Sequence, residues 1–543
     1  MYRCCCFKSV LLYFFIKVVI IDTCWQYIIT EYFLGGIKMV FEPNFTKVVS
    51  SVRKNLGTMQ SVVEVKLPTN DNDITKVVSM GAKSVITSKE VMGRDVVITG
   101  LVDFQAVYQG MGLSAVDYSA EFRDKFVASD NVSGDIILSS CVVDVSSVVV
   151  GGAIRVVAVV EIVVDEIVNT EINVLTSVNG ENSHLSTNEL EYYTYIGKCY
   201  EKFDVSSELE LSGVTNVLMV TPSVSICNVV PKENYLVVTG KVGLDICGQT
   251  GDGVDDITTD FRVVDFSSEV AYDGITDNSI IQSQIGIVSN EIKVSTMVDN
   301  GVASLNINIP VSYYGYVFGE NKIEVIEDLY SEKNYLSITC ENFKTITSAN
   351  SICFKDNISG IASINDTAPF IDEVLGVCTN NLVVAGCRIE DNNLCIEGVA
   401  NATVTYYTKE TSDITSVQVE MPFAIEKRVD NVDGNVVTIS LENVSARSKR
   451  GKEIEVLAEL NVYVDLYTTN TKCVITQVVV GDDKSADECP LYIYIVKPGQ
   501  TVWDVAKDMN TSQELILEQN PEVVLPLKAG DKLVIYKPNV FKF

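Results

Sequence analysis

His184 is the single histidine in a chain of 543 residues. A Ser-His-Asp or Cys-His catalytic group would have to use it. It stands in the polar stretch TSVNGENSHLSTNE (176–189), with no nucleophile motif nearby, and reads as a surface loop residue. The same scarcity removes histidine-based zinc sites, and the cysteines offer no C-x-x-C spacing in their place. GQTGDGVDD (248–256) has the glycines of a phosphate-cradling loop but not the Lys and Ser/Thr that hold phosphates, and its aspartates would repel an anion. It reads as a turn. DGVDD and DNVDG lack the spaced oxygen ligands of a calcium loop. Carboxylates are plentiful, 72 in all, but none stands in a constellation that marks a general acid and base. These residues point away from an enzyme and require neither metal nor cofactor.

Charge and cysteine usage narrow the partners. A formal charge of −31 opposes nucleic acid and anionic membranes, because association would begin against like charge. One basic cluster, SARSKRGKE (445–453), could meet an acidic partner but reads first as a solvated hairpin turn. Of 15 cysteines, Cys4, Cys5, Cys6 and Cys24 fall in the first 24 residues and the others are scattered, many in valine-rich runs. Buried free thiols in a reducing compartment explain this better than a secreted disulfide scaffold. VLLYFFIKVVII (10–21) is interrupted by Lys17 and too short to span a bilayer, so no integral membrane insertion is expected. It makes a weak signal-like segment with no prompt cleavage site. LGGIKM (34–39) can be encoded by a ribosome-binding site followed by a start codon, so residues 1–38 read as translated leader and Met39 as the start.

The elements that would position any site are strands. Val, Ile, Thr and Tyr dominate, and 47% of the residues are hydrophobic, enough for roughly three to five domains. DVVITGLVDFQAVYQG (95–110), NYLVVTGKVGLDICG (234–248) and NNLCIEGVANATVTYY (392–407) align on Gly100, Gly240 and Gly398. Each is followed by an aromatic-bearing strand and then a long alternating one: IRVVAVVEIVV (154–164), ASLNINIPVSYYGYV (303–317) and IEVLAELNVYVDLY (454–467). Period-two patterning of this length predicts sheets with one buried face, as sandwiches or open barrels. The fold class is mainly β, with strand-rich repeats at 50–175, 190–340 and 376–480. A connector lies at 341–375, and an acidic linker, GDDKSADECP, at 481–490.

Residues 491–538 read differently. LYIYIV (491–496) is a short strand and KPGQ a turn. Thr501 then caps a helix with Asp504 as its capping-box partner, and Thr511 with Glu514 starts a second. KAGDKLVIY (528–536) closes the unit with a turn and a strand, giving a βααβ module expected to fold alone. It resembles a LysM domain at Tyr494, Val496, Gly499, Thr501, Val502, Trp503, Val505 and Ala506. The match continues at Leu515, Asn520, Pro521, Leu527, Gly530, Leu533 and Ile535. The resemblance implies binding of N-acetylglucosamine-containing glycans such as peptidoglycan or chitin. Their groove would lie between the turn 498–502 and the loop 521–529. Gly499, Gln500, Thr501 and Val502 would line one side, Asn520, Val523, Val524 and Leu525 the other, with Lys497 and Trp503 beside them. The family commonly carries Asp where this chain has Gln500, and ENPEVVLPLKAG is apolar for a sugar site.

Three strand-rich repeats followed by one LysM module also resemble the clostridial spore-coat morphogenetic proteins, whose repeats were long known only as a domain of unknown function. That resemblance implies a nonenzymatic scaffold in the mother-cell cytoplasm at the forespore surface. Its LysM unit would bind a sporulation ATPase, and other coat proteins would assemble on it. The competing expectation is a secreted cell-wall protein that grips peptidoglycan through the same module.

Overall fold

The computed structural model describes residues 41–69, 73–110, 112–179, 183–250, 257–288, 291–299, 302–365, 367–409, 414–484 and 491–537. Among them the alternating segments form strands in three successive copies of one arrangement. Copy one runs β1 (Glu42–Lys66), β2 (Lys76–Met92), β3 (Asp95–Gln109), β4 (Leu113–Val127), β5 (Asp135–Val150) and β6 (Ala153–Asn179). Copy two runs β7 (Ser183–Ser212), β8 (Asn216–Lys232), β9 (Tyr235–Gln249), β10 (Ile257–Ala271), β11 (Ile280–Ile287), β12 (Lys293–Asp299) and β13 (Val302–Ser331). Copy three runs β14 (Asn334–Ser363), β15 (Ile371–Glu390), β16 (Asn393–Thr408), β17 (Ile414–Arg428), β18 (Gly434–Lys449) and β19 (Glu453–Asp483).

Each copy pairs its first and last long strands antiparallel, adds a shorter strand to the far edge of the last, and sets an antiparallel three-stranded meander against that sheet. The orders are β1-β6-β5 with β2-β3-β4, β7-β13 flanked by β11 and β12 with β8-β9-β10, and β14-β19-β18 with β15-β16-β17. In copy two the shorter strand is broken in two. Alternation places the cores: Val96, Ile98, Val102 and Phe104 of β3 face Val156, Val160 and Val164 of β6 in one apolar cluster. The equivalent residues of copy three, from Leu394 to Val404 and from Ile454 to Val464, form another.

The three glycines occupy equivalent points. Gly100 pairs with Ile86 and Phe122, Gly240 with Ile226 and Phe266, and Gly398 with Val384 and Phe423; a bulge follows the first partner each time. All three sit on inward positions of the central meander strand, where a phenylalanine ring from the next strand lies across them. A Cβ there would fall 2.4, 2.5 and 2.4 Å from that ring, and 2.7, 2.1 and 2.3 Å from the carbonyl oxygens of Val85, Ser225 and Val383. Close approach, rather than a turn, therefore requires glycine.

The copy boundaries differ from those expected. The connector assigned to 341–375 is strand from 341 to 363, the body of β14, so copy three begins at Asn334 rather than at 376. β14 reads as connector because most of its side chains stay exposed, while Phe343, Thr345 and Ile346 face inward. Likewise 183–189 opens β7, copy one reaches back to Glu42, and β19 continues into the presumed linker as far as Asp483. His184 thus lies on a strand, not in a loop. The basic cluster is the hairpin between β18 and β19, with Arg450 and Gly451 at φ 55° and 68°. The leader assigned to residues 1–38, the turn residues 251–256 and most of the acidic linker lie outside the described residues. No helix among the described residues is long and apolar enough to cross a membrane.

The copies bury surface against one another. Val48, Ile172 and Val174 of copy one meet Leu190 and Val325 of copy two and Phe343 and Val474 of copy three. A second cluster joins Ile137 and Ile167 with Tyr193, Tyr316, Phe318 and Ile346. Hydrogen bonds cross the same seam: Ser50 Oγ donates to the Lys344 carbonyl (2.6 Å), Tyr195 N to Ser51 Oγ (2.8 Å) and Tyr193 N to Thr345 Oγ1 (3.2 Å). Copy three's Asp465, buried at 4% exposure, accepts from Ser283 N of copy two (2.9 Å) and from its own Ser351 Oγ (2.7 Å) and Tyr463 OH (2.8 Å). Burial pushes its carboxyl up to about 6, against the pull of those donors and Arg53.

Candidate ligand-binding module

After β19 the chain forms β20 (Leu491–Ile495), α1 (Val502–Asp508), α2 (Gln513–Gln519) and β21 (Lys532–Tyr536), with β20 and β21 paired antiparallel. Thr501 caps α1 with a full capping box: Asp504 N donates to its Oγ1 (3.3 Å), and Thr501 N donates back to Asp504 Oδ2 (2.7 Å). Those bonds from Thr501 hold the Asp504 carboxyl below the usual carboxylate range. The second cap differs from expectation by one residue. Ser512 Oγ, not Thr511, accepts from Leu515 N (3.0 Å), because Thr511 is buried and its carbonyl is taken by Tyr330 OH of β13 (2.6 Å).

Val496, Val502, Val505, Ala506, Ile516, Leu533 and Ile535 form the core, and Tyr330 joins them. The expected site residues divide into two sets around it. Lys497, Gly499 (φ +81°) and Gln500 make the first turn, with Gln500 N donating to the Lys497 carbonyl (3.2 Å). That turn is tied to the closing turn, since Gly530 N donates to Val496 O (2.8 Å) and Val496 N to Asp531 O (2.9 Å). The structure therefore brings the turn 497–501 beside the end of the 521–530 loop.

Their polar side chains are largely spent inside the module. Gln500 Oε1 accepts from Lys497 N (3.0 Å), and its Nε2 contacts Tyr494 OH and Asp508 Oδ2, both at 3.0 Å. Asn520 Nδ2 donates to the Ile516 and Val534 carbonyls and its Oδ1 accepts from Val534 N, fastening α2 to β21. Val502 is buried and Val523 half-buried against the core. What the loop presents outward is apolar: Val524 is 73% exposed and Leu525 55%. The Leu525–Pro526 peptide is cis.

Trp503 faces away from the lip. Its Nε1–H donates to Asp328 Oδ2 (2.8 Å) and its ring meets Tyr330 edge-on at 5.0 Å, while Lys507, one turn further along α1, pairs with the same Asp328 (2.7 Å). His184 stacks on the other side of Tyr330 at 4.8 Å and lies 2.9 Å from Glu332 Oε1. Asp328, Tyr330 and His184 thus form the seat of the module on copy two. No pattern in DLYSE (328–332) distinguishes it from any other strand end, so the sequence carries no signal for it.

Residues 494–535 match the LysM domain family. The C-terminal unit is a LysM domain. The match is consistent with a peptidoglycan- or carbohydrate-binding module, and its strand-helix-helix-strand order is the expected one. The match bears on this module, not on the repeats. Comparison with curated proteins and with solved structures returned no match.

A cavity of about 530 Å³ lies far from the LysM domain, between β2, β3, β4, β8, β12 and β15, so that all three copies line it. Its buried amine is Lys83, which donates to the Pro222 carbonyl. Burial pushes Lys83 down to about 8, with Asp245 and Asp103 opposing. Burial also raises Asp117 and Asp245 above the ordinary carboxylate range. Lys83 of copy one thus faces Asp245 of copy two, and Thr379 Oγ1 of copy three donates to that same Asp245 (2.7 Å), so the charge pair and one hydroxyl join the three copies.

Proposed function

We propose that this chain is a nonenzymatic scaffold in which a body of three packed β repeats carries one LysM domain for a partner. The observation that carries the reading is the division of the LysM domain into two sides. Trp503 and Lys507 seat it on Asp328, while the turn 497–501 and the loop 521–530 stay exposed with Val524 and Leu525 outermost. An apolar lip whose neighbouring polar side chains are already bonded suits a protein surface better than a polysaccharide alone. With the resemblance of repeat order and count, this supports a spore-coat morphogenetic role. The chain would work in the mother-cell cytoplasm at the forespore surface, and its LysM domain would engage the sporulation ATPase on which other coat proteins assemble.

The family match supports a second reading, a secreted cell-wall protein whose LysM domain grips peptidoglycan or chitin through backbone groups of the same two turns. Calorimetry of the full chain separates them. Titration with the purified sporulation ATPase and with chitooligosaccharide or muropeptide should show binding to the ATPase and weak or no heat with the glycans. Micromolar glycan binding without ATPase binding would overturn the scaffold reading, and mass spectrometry of the mature N-terminus would then show export.

A further inference from the structure

Ten cysteines of the described residues are free thiols, and the fold brings six of them near one another in three pairs. Cys353 of β14 reaches copy two, its Sγ 3.8 Å from the carbonyl of Ile226, the residue before Cys227 in β8, and burial together with the nearby Cys227 thiol raises its own. Cys247 of β9 and Cys378 of β15 share one apolar cluster, close enough for each thiol to perturb the other, Cys247 downward and Cys378 upward. Bonds on either side of Cys378 hold β15 in place there: Val377 N donates to Thr259 Oγ1 (3.4 Å) and Thr379 Oγ1 to Asp245 Oδ2 (2.7 Å), Thr259 being the register partner of Cys247. Cys340 and Cys473 lie on the adjacent antiparallel strands β14 and β19, Cys473 opposite Asn342. Cys340 itself stands opposite Ile475, so the two exposed cysteines lie diagonally across the strand pair, and burial together with the nearby Cys473 thiol raises that of Cys340.

We propose that these pairs are oxidation sites that close to disulfides, and that two of the three fasten copy two to copy three. Cys227–Cys353 and Cys247–Cys378 each bridge those copies, whereas Cys340–Cys473 bridges two strands within copy three. Copy one contributes only Cys141 among its described residues, with no thiol facing it, so oxidation staples one seam of the body and leaves the other two free. The chemistry needs a two-electron oxidant such as a peroxide. One thiol attacks the peroxide to give a sulfenic acid and one water, and the facing thiol then displaces a second water as the S–S bond forms. Each link costs the protein two hydrogens. The exposed members, Cys340, Cys353 and Cys473, meet the oxidant first, and Cys247–Cys378 follows because Cys247 is buried at 5% exposure. Burial holds the Cys340 and Cys353 thiols up, so closure quickens as pH rises.

The test uses the reduced full chain. After exposure to hydrogen peroxide, remaining thiols are alkylated and the protein is digested without reduction for mass spectrometry. The expected result is three linked peptide pairs, 227 with 353, 340 with 473 and, more slowly, 247 with 378, each lighter than its parts by two hydrogens and released by dithiothreitol. Cys353→Ser should remove the first link and leave the other two. The oxidised chain should also need more denaturant to unfold than the reduced one. Recovery of these cysteines as alkylated thiols or sulfinic acids, or in other pairings, under conditions that oxidise free glutathione would overturn the proposal.

Discussion

The repeats and the LysM domain reach buried cores by opposite routes. The body solves one packing problem three times, with a glycine under a phenylalanine at the centre of each meander, and then buries the copies against each other. The LysM domain has a single small core, borrows Tyr330 from copy two to complete it, and is seated through one carboxylate. In the first region stability is spread over many equivalent apolar contacts. In the second it is concentrated in a few named bonds, so single substitutions should act very differently in the two.

The largest effect should come from the repeated glycines. Gly240→Ala places a methyl 2.1 Å from the Ser225 carbonyl, with Phe266 on its other side. Overpacking of this kind typically costs up to about 3 kcal/mol. If the copies are energetically equivalent, the cost should follow backbone clearance, greatest at Gly240, then Gly398 (2.3 Å), then Gly100 (2.7 Å). Denaturant melts of the three variants check the order. Tolerance at one position and collapse at another would break the equivalence of the copies.

A buried carboxylate gives the next effect and contrasts with the half-buried one beneath the LysM domain. Asp465 rises from 3.8 to about 6 in the folded chain, so the native state takes up its proton before the unfolded state as pH falls. Stability from this group therefore increases as pH drops from about 6 to 4 and is flat above that, a span worth roughly 2–3 kcal/mol. Relative to Asp465→Asn, the natural chain should gain stability over that window and not outside it. Equal pH slopes for the two proteins would show that Asp465 stays ionised in the folded state.

Removing the seat should cost less. Asp328→Ala strips the acceptor from Trp503 and Lys507, but the side chains of Asp328 and Lys507 are 32% and 41% exposed, so solvent already screens the pair. About 1 kcal/mol of docking is expected to go, with global unfolding unchanged. Trp503 supplies the signal: its emission should shift to the red as the ring leaves Tyr330. An unshifted spectrum would mean that Tyr330 alone, through Thr511, holds the LysM domain down.

These contrasts also explain what the sequence made legible. The alternation in β3, β9 and β16, and the glycines interrupting it, showed a mainly β chain with three equivalent strand-rich repeats, since period two and a missing Cβ are properties of the residues themselves; the meander order within each repeat was not legible. The LysM core was legible in part: of the apolar set Val502, Val505, Leu515, Leu533 and Ile535, all lie in the core but Leu515, which is half-buried while its neighbour Ile516 faces inward. β14 reads as a connector because, although its side chains alternate from Ser351 to Ser363, the inward positions there include Asp356 and Gly360 beside Ile352, Phe354 and Ile358. Asp328, the Tyr330 seat and the three thiol pairs join positions over a hundred residues apart, where no local spacing informs. Gln500 and Asn520 were expected at a ligand lip. Their bonds hold turns and strands together, which residue type alone does not reveal.

The smallest effect on stability should come from the lip itself, and that makes it the sharpest probe of binding. Val524 is 73% exposed and Lys497 stands exposed on the first turn, so Val524→Asp and Lys497→Glu should each change unfolding free energy by less than about 0.5 kcal/mol. If the partner sits between the turn and the loop, Val524→Asp puts a desolvated charge against it and affinity should fall about tenfold or more. The two substitutions then separate the ligands. A neutral N-acetylated glycan has no charge for Lys497 to meet, so Lys497→Glu should leave its affinity near the natural value at any salt concentration. An acidic protein surface would be repelled by Glu at 497, and the loss should shrink as added salt screens it. Unchanged affinity of both variants for every ligand that the full chain binds would move the contact off the lip. The outer face of β20 and β21, where Ile493, Ile495 and Val534 lie exposed, would then be the next surface to mutate.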